Sequence, residues 1–199
     1  MSVAVINYDR GMGRWEPNAR GRLQQAAMEL FIERGFEQTT VTEIAERAGL
    51  TQRTFFRHFA DKREVLFAGS ERLRDVMVDA LAGAPESAAP IDAVAAALQA
   101  AGAALQEGGE FPRRRQAVIS ANAELQEREL IKLASLAAAL ADALRARGVA
   151  DPAASLAAEA GIAVFRIAFA RWVTDPSPRD FPQVIRESLE ELKAVTTGR

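Results

Sequence analysis

Apolar residues recur along most of this chain at intervals of three and four, the spacing of one face of an α-helix. No stretch alternates residue by residue as a half-buried strand would. The pattern divides into about nine helical segments. The first, 19–34, sets Leu23, Ala26, Ala27, Leu30 and Phe31 on one stripe, with Asn18 at the N-cap position and Gly35 as its stop. Val41, Ile44, Ala45 and Ala48 mark a short second helix, capped by Thr40 or Thr42 and ended by Gly49. Thr51 stands at the cap of a third, where Phe55 and Phe59 lie one turn apart and face inward. Asp61, with Glu64 three residues on, reads as a capping-box analogue opening a fourth helix. Its stripe of Val65, Leu66, Leu73, Val76, Met77 and Leu81 runs to about Ala82.

Beyond the Gly83–Pro90 loop the expected helices are 91–107, 113–121 and 123–147, punctuated by Gly108, Gly109, Pro112, Asn122 and Gly148. Leu125, Leu133, Leu136, Leu140 and Leu144 give the seventh its stripe. Asp151 and Pro152 open an eighth helix running to about Thr174. Its centre, 161–170, is apolar nearly all round and must be covered on several sides. Pro176, Pro178 and Pro182 precede a ninth that ends near Val195. Residues 1–17 hold Gly11, Gly13 and Pro17 and no helical period, so they read as a flexible arm. Within it Arg10 and Arg14 are candidates for minor-groove contact, against the plainer reading of an unstructured tail.

Composition narrows the chemistry. Cysteine is absent and histidine occurs once, which excludes disulfides, thiolate metal sites and cysteine catalysis and argues against a histidine metal cluster. No catalytic constellation and no cofactor motif is present. No run of eighteen apolar residues signals a membrane span, and the N-terminus lacks the basic start and apolar core of a signal peptide, so a soluble cytoplasmic protein is expected. Net charge is −2, but its distribution matters more than its sum. Residues 51–63 carry Arg53, Arg57, Lys62 and Arg63 against Asp61 alone, whereas 68–199 carries 18 acids and 15 bases. Positive potential is concentrated on and just after the third helix.

Arg53 and Arg57 lie one turn apart on the face opposite Phe55 and Phe59, flanked by Gln52 and Phe56. A cationic, hydrogen-bonding face on a short aromatic-anchored helix is what a DNA recognition helix requires, although a solvated helical hairpin carries the same pattern. The segment 39–59 is preceded by Leu30, Phe31, Ile32, Glu33, Arg34, Gly35 and Phe36 and followed by Asp61, Lys62, Arg63, Glu64, Val65 and Leu66. From about Arg20 to Phe67 the chain closely resembles the tetracycline-repressor (TetR) family of bacterial transcriptional regulators. The resemblance implies an all-α protein: a helix-turn-helix head over 1–67 and a ligand-binding, dimerising domain over 68–199. It also implies DNA contact by Thr40, Thr42, Thr51, Gln52, Arg53, Thr54, Phe56, Arg57, His58 and Lys62. Gln52 and Arg53 fall in the first turn, where they reach adenine and guanine edges; Thr42, Thr54, His58 and Lys62 fall near phosphates. Most members carry tyrosine where this chain has Phe56, so a hydroxyl bond to phosphate is missing there and stacking or a thymine-methyl contact takes its place.

Arg113, Arg114 and Arg115, with the run Ser120–Leu125 in similar register, resemble the sixth helix of regulators associated with mycofactocin-type gene clusters. Those regulators respond to long-chain acyl-CoA, which implies a phosphate-binding role; a solvated helix start is the plainer alternative. Cations at a helix N-terminus oppose its dipole, so an acidic neighbour is expected. Met77, Phe111, Phe165, Phe169 and Trp172 are candidates to line an apolar effector pocket, with ordinary core packing as the alternative. The functional expectation is a homodimeric, ligand-responsive regulator that binds a near-palindromic operator in double-stranded DNA and is released by a small apolar or amphipathic effector. Its dimer is expected to form through the eighth and ninth helices, with Gly161, Ala163 and Ala168 allowing close approach. Induction is expected to run through the far half of the fourth helix, near Met77 and Leu81. The competing reading is an all-α ligand carrier or small enzyme with a vestigial helix-turn-helix.

Overall fold

Side-chain caps start the first, second, third and ninth helices in the structure, a computed structural model that describes residues 18–177 and 179–198. Within these residues the elements are α1 (Ala19–Arg34), α2 (Val41–Arg47), α3 (Gln52–His58), α4 (Ser70–Ala82), α5 (Pro90–Gln106), α6 (Phe111–Ser120), α7 (Ala123–Ala146), α8 (Ala153–Thr174) and α9 (Phe181–Thr197). The arm and its Arg10 and Arg14 lie outside the described residues. Asn18 Oδ1 accepts from the Gly21 N–H at 3.0 Å and starts α1. Of the two candidate caps for α2 the structure uses Thr40: its Oγ1 accepts from the Glu43 N–H while the Glu43 carboxylate accepts from the Thr40 N–H, a reciprocal capping box. Gly49 turns the chain at φ 64°, a left-handed conformation that disfavours any Cβ, and Thr51 Oγ1 then caps α3 through the Thr54 N–H.

The fourth helix departs from the sequence pattern. It begins at Ser70, not Asp61. Asp61 Oδ1 does accept from the Arg63 and Glu64 N–H groups, at 2.8 and 3.1 Å, but the chain from there to Gly69 forms a series of turns. Val65, Leu66 and Phe67 are all buried in succession. One face of a helix cannot bury three consecutive residues, so the segment wraps over the head instead of continuing as a helix. Smaller departures have similar causes. α6 opens at Phe111 with Pro112 inside its first turn. Asn122 holds the N-cap position of α7 but its Nδ2 donates back to the Val118 carbonyl at 2.7 Å. α8 begins at Ala153, with the Asp151 carboxylate held by Arg145 and by Ser155 Oγ.

Two hydrophobic cores result. One gathers α4, α5, α7, α8 and α9 around Met77, Leu98, Leu140, Phe165 and Phe181. The other is the head core, where Leu23, Phe31, Phe36, Ile44, Phe55 and Phe59 meet Val65–Phe67. Val118 and Ile119 of α6 and Leu125 of α7 complete it. The division near residue 67 therefore marks the chain, while packing crosses it. α8 is long and apolar enough to cross a bilayer by length and composition alone. Its apolar run is interrupted by Glu159, Arg166 and Arg171, and Ala154, Ala158, Ile162, Phe165 and Trp172 are buried in the second core. Gly161 is among its buried residues: a Cβ there would fall 2.2 Å from Val94 Cγ1 of α5. Gly161 and Ala168 thus serve packing within the chain, and of the three small residues expected at a dimer contact Ala163 alone is exposed.

Candidate nucleic-acid interface and internal cavity

Phe55 and Phe59 anchor α3 in the head core at 0% and 3% exposure, which fixes the opposite face outward. Thr51, Gln52, Arg53, Phe56 and Arg57 are exposed along it, with Thr54 half-buried. Arg53, Thr54, Phe56 and Arg57 edge a shallow surface hollow. Gln52, Arg53 and Arg57 make no hydrogen bond or ion pair among the described residues. Phe56 is 52% exposed, although its ring edge touches Phe55 at 5.5 Å between centroids. Thr51 and Thr54 join their hydroxyls at 3.0 Å. Thr40 and Thr42 are exposed at the start of α2.

Two expected contacts sit differently. Lys62 Nζ donates to the carbonyls of Phe36, Thr39 and Glu37 at 2.8, 3.1 and 3.2 Å and lies 4.4 Å from the Phe36 ring centroid. An ammonium has three N–H donors, and here three backbone oxygens take them, so Lys62 ties the linker to the α1–α2 loop. His58, at the end of α3, is half-buried and its Nε2 has no hydrogen-bond partner among the described residues.

A cavity of about 170 Å³ lies at the junction of head and body. Gln24 of α1, Leu66 and Gly69 of the linker, and Ser70 and Leu73 of α4 form one side. Leu105, Phe111, Pro112, Arg115, Glu129, Lys132, Leu133, Leu136, Phe165 and Phe169 from α5–α8 form the rest. Of the five expected lining residues, Phe111, Phe165 and Phe169 are there. Met77 is fully buried in the core, and Trp172 stacks on Phe181 at 4.6 Å with its Nε1 donating to the Arg179 carbonyl. Neither lines this cavity. A second, wider hollow of about 530 Å³ lies against Ile119, Leu130, Arg166 and Ala170 and shares Glu129, Leu133, Phe165 and Phe169 with the first.

The arginine run at the start of α6 is divided three ways. Arg113 donates to the Val173 and Asp175 carbonyls at the end of α8 and lies over Trp172. Arg115 donates to the Leu66 carbonyl at 2.7 Å and pairs bidentately with Glu129 at 2.6 and 3.1 Å, the acidic neighbour that the helix dipole calls for. Arg114 is exposed at the edge of a separate hollow toward α1 and has no partner among the described residues. Nearby, Glu64 of the linker pairs with Arg128 and, at 3.8 Å, with Lys132; Arg63 pairs with Glu124. Two of the residues that hold the linker to α6 and α7, Arg115 and Lys132, also line the cavity. Sequence reasoning missed Gln24, Glu129 and Lys132. The Glu129–Lys132 spacing puts both on one helix face, but charge on a helix surface gives no sign of facing a cavity.

Among the described residues no group of side chains is arranged to hold a metal ion. The family model for bacterial regulatory proteins of the TetR family matches residues 23–68, and the MftR C-terminal domain model matches 88–197, more than half of the chain. The chain belongs to the TetR family. All ten expected DNA-contacting residues lie inside the first match, and its second domain is of the MftR type. The regulator TcmR of Streptomyces glaucescens is 37% identical over 89 residues, which cover 45% of this chain and 39% of that one. The chain spans 24% to 39% of the length of the curated relatives it matches. Among solved structures, SmeT of Stenotrophomonas maltophilia, in complex with triclosan, has 23% identity over 89% of this chain and 90% of that one, with a TM-score of 0.63. FadR of Bacillus subtilis, in complex with stearoyl-CoA, has 20% identity over 86% and 96%, with a TM-score of 0.62. At these identities the two structures establish the shared fold. The matched family is one of bacterial regulatory proteins.

Proposed function

We propose that this TetR-family protein is a ligand-responsive transcriptional repressor that binds a near-palindromic operator as a homodimer. The observation that carries the reading is the outer face of α3: Gln52, Arg53 and Arg57 stand exposed with no partner among the described residues, on a helix locked by Phe55 and Phe59. Such a face is built to meet an external acceptor. Gln52 and Arg53, in the first turn, read base edges; Thr40, Thr42, Thr51, Thr54 and Arg57 meet the backbone; Phe56 packs on a thymine methyl or sugar. Lys62 positions the head, and its ammonium is shared with three carbonyls. His58 reaches phosphate only if its ring turns outward.

Dimerisation is supported by an apolar stripe on α8. Leu156 and Ile167 are 66% and 50% exposed, with Ala163 and Ala170 on the same side, and Val195 of α9 is exposed as well. Two heads are needed to reach half-sites one helical turn apart, ~34–36 Å. Effector response is supported by the cavity, whose wall includes α1, the linker and the first turn of α4. An occupant there pushes directly on the parts that place the head, a shorter route than one through Met77 and Leu81. A ligand releases DNA only by binding the DNA-incompetent arrangement more tightly, and coupling of ~1–3 kcal/mol is typical.

Selection of bound sites from random DNA, followed by sedimentation, tests the reading. The expected result is an enriched inverted repeat and a species of twice the chain mass. Ile167→Asp should dissociate the dimer and abolish tight binding to the repeat while the fold is retained, because Ile167 is already half-exposed. Absence of any enriched sequence, or a monomer that binds the repeat tightly, overturns it.

A further inference from the structure

The cavity at the head–body junction has a charge pattern that identifies a ligand class, an inference that rests on the effector-responsive role proposed for it. Most of its wall is apolar, from Leu73, Leu105, Leu136 and Phe169. Its polar end holds two cations, Arg115 and Lys132, against one anion, Glu129. Arg115 and Glu129 satisfy each other bidentately, and their side chains are only 17% and 22% exposed. Lys132 is held more loosely. Its one ion pair, to Glu64, is 3.8 Å long, and it makes no hydrogen bond among the described residues although its side chain is only 28% exposed. Its side chain borders an apolar void.

We propose that the cavity takes a monoanionic amphiphile: a carboxylate on Lys132 Nζ, with a single aromatic ring or short alkyl chain against Leu73, Leu105 and Phe169. Charge selects the anion, because the lining holds two cations against one anion. Glu129 selects against a dianion such as a phosphate monoester, since a second negative charge would lie beside its carboxylate. Volume selects the tail: an apolar cavity of ~150 Å³ holds one benzene, and this one measures about 170 Å³. The carboxylate draws Lys132 from Glu64 and so removes one of the ties between α7 and the linker.

Calorimetric titration of the full chain with phenylacetate, octanoate, phenylacetamide and octanoyl-CoA tests this, alongside Lys132→Met and Lys132→Arg. The acids should bind at least tenfold more tightly than the amide, the scale of one hydrogen bond to a charged group. Lys132→Met should remove that margin and leave amide binding unchanged, while Lys132→Arg should retain it. Equal binding of acid and amide, acid binding that ignores Lys132→Met, no binding of either acid at millimolar concentration, or binding of the thioester alone overturns the proposal. Acids that bind through Lys132 but leave the affinity for selected DNA unchanged confirm the ligand class and refute the effector reading, so the two failures are distinct.

Discussion

Helices α3 and α6 both carry arginine in their first turns, and the structure treats them in opposite ways. On α3, Arg53 and Arg57 point away from the head and meet nothing among the described residues. On α6, Arg113 closes the end of α8 and Arg115 grips both Glu129 and the linker carbonyl of Leu66. The residues are chemically the same, spaced by four positions on α3 and by two on α6. What differs is the neighbourhood: α3 is backed by the head core on one side only, whereas α6 is wedged between the head, α7 and α8. Arginine at the edge of a fold is available to a partner, and arginine inside a junction is structure. A basic run in a sequence does not say which.

Substitutions sharpen that contrast. The largest effect is expected from Arg115→Ala, which leaves the Glu129 carboxylate and the Leu66 carbonyl without their donor in a largely covered site. Hydrogen bonds to charged groups set the scale at about 2–3 kcal/mol, a fall of roughly 4–12 °C in Tm for a chain of this size. Arg53→Ala should leave Tm unchanged. A thermal melt of the two variants checks both, and an equal fall in each would erase the distinction. Next come the DNA-facing changes: Gln52→Ala or Arg53→Ala should weaken specific binding by ~1–3 kcal/mol and relax base preference at the contacted position. Site selection with each variant reads this directly, and unchanged preference in both would remove them from base readout.

Lys62→Ala is the intermediate case, a cation that borders the interface yet is bonded inward. It should lower head stability by about 1–2 kcal/mol, because three carbonyls lose a charged donor. Any loss of DNA affinity should be the same for all sequences. Hydrogen exchange across the Phe36–Thr40 loop would show the loosening; a normal loop with weakened binding would return Lys62 to a direct phosphate role.

The smallest effect is on pH dependence. Hydrogen bonds from the Thr40 backbone, then its hydroxyl, hold the Glu43 carboxyl below its ordinary value, with Arg34 adding to the shift. The Arg47 guanidinium does the same for Glu33. A depressed folded-state value means the contribution is present above the ordinary carboxylate range, about pH 4, and is lost as pH falls through the folded value. Glu43→Gln should therefore lower Tm at neutral pH, with the gap to wild type closing on acidification below that range. A gap independent of pH would assign the effect to lost geometry instead of charge.

The helical segments, the caps of the first three and the identity of the head were legible in the residues alone. Asn18, Gly35, Thr40, Gly49 and Thr51 act within three or four residues of where they stand, so their roles follow from local chemistry. The amphipathic split of α3 likewise follows from spacing. Packing in three dimensions settled the rest. Val65–Phe67 leave the helical pattern because the head core buries all three, a demand made by α1, α6 and α7 together. Met77 and Trp172 fell to the core while Gln24, Glu129 and Lys132 came to the cavity, because a void forms where several helices fail to meet. No helix carries that information. Hydrophobic period fixes which side of a helix turns inward, and the place where inward sides leave a space is set by how all of them pack.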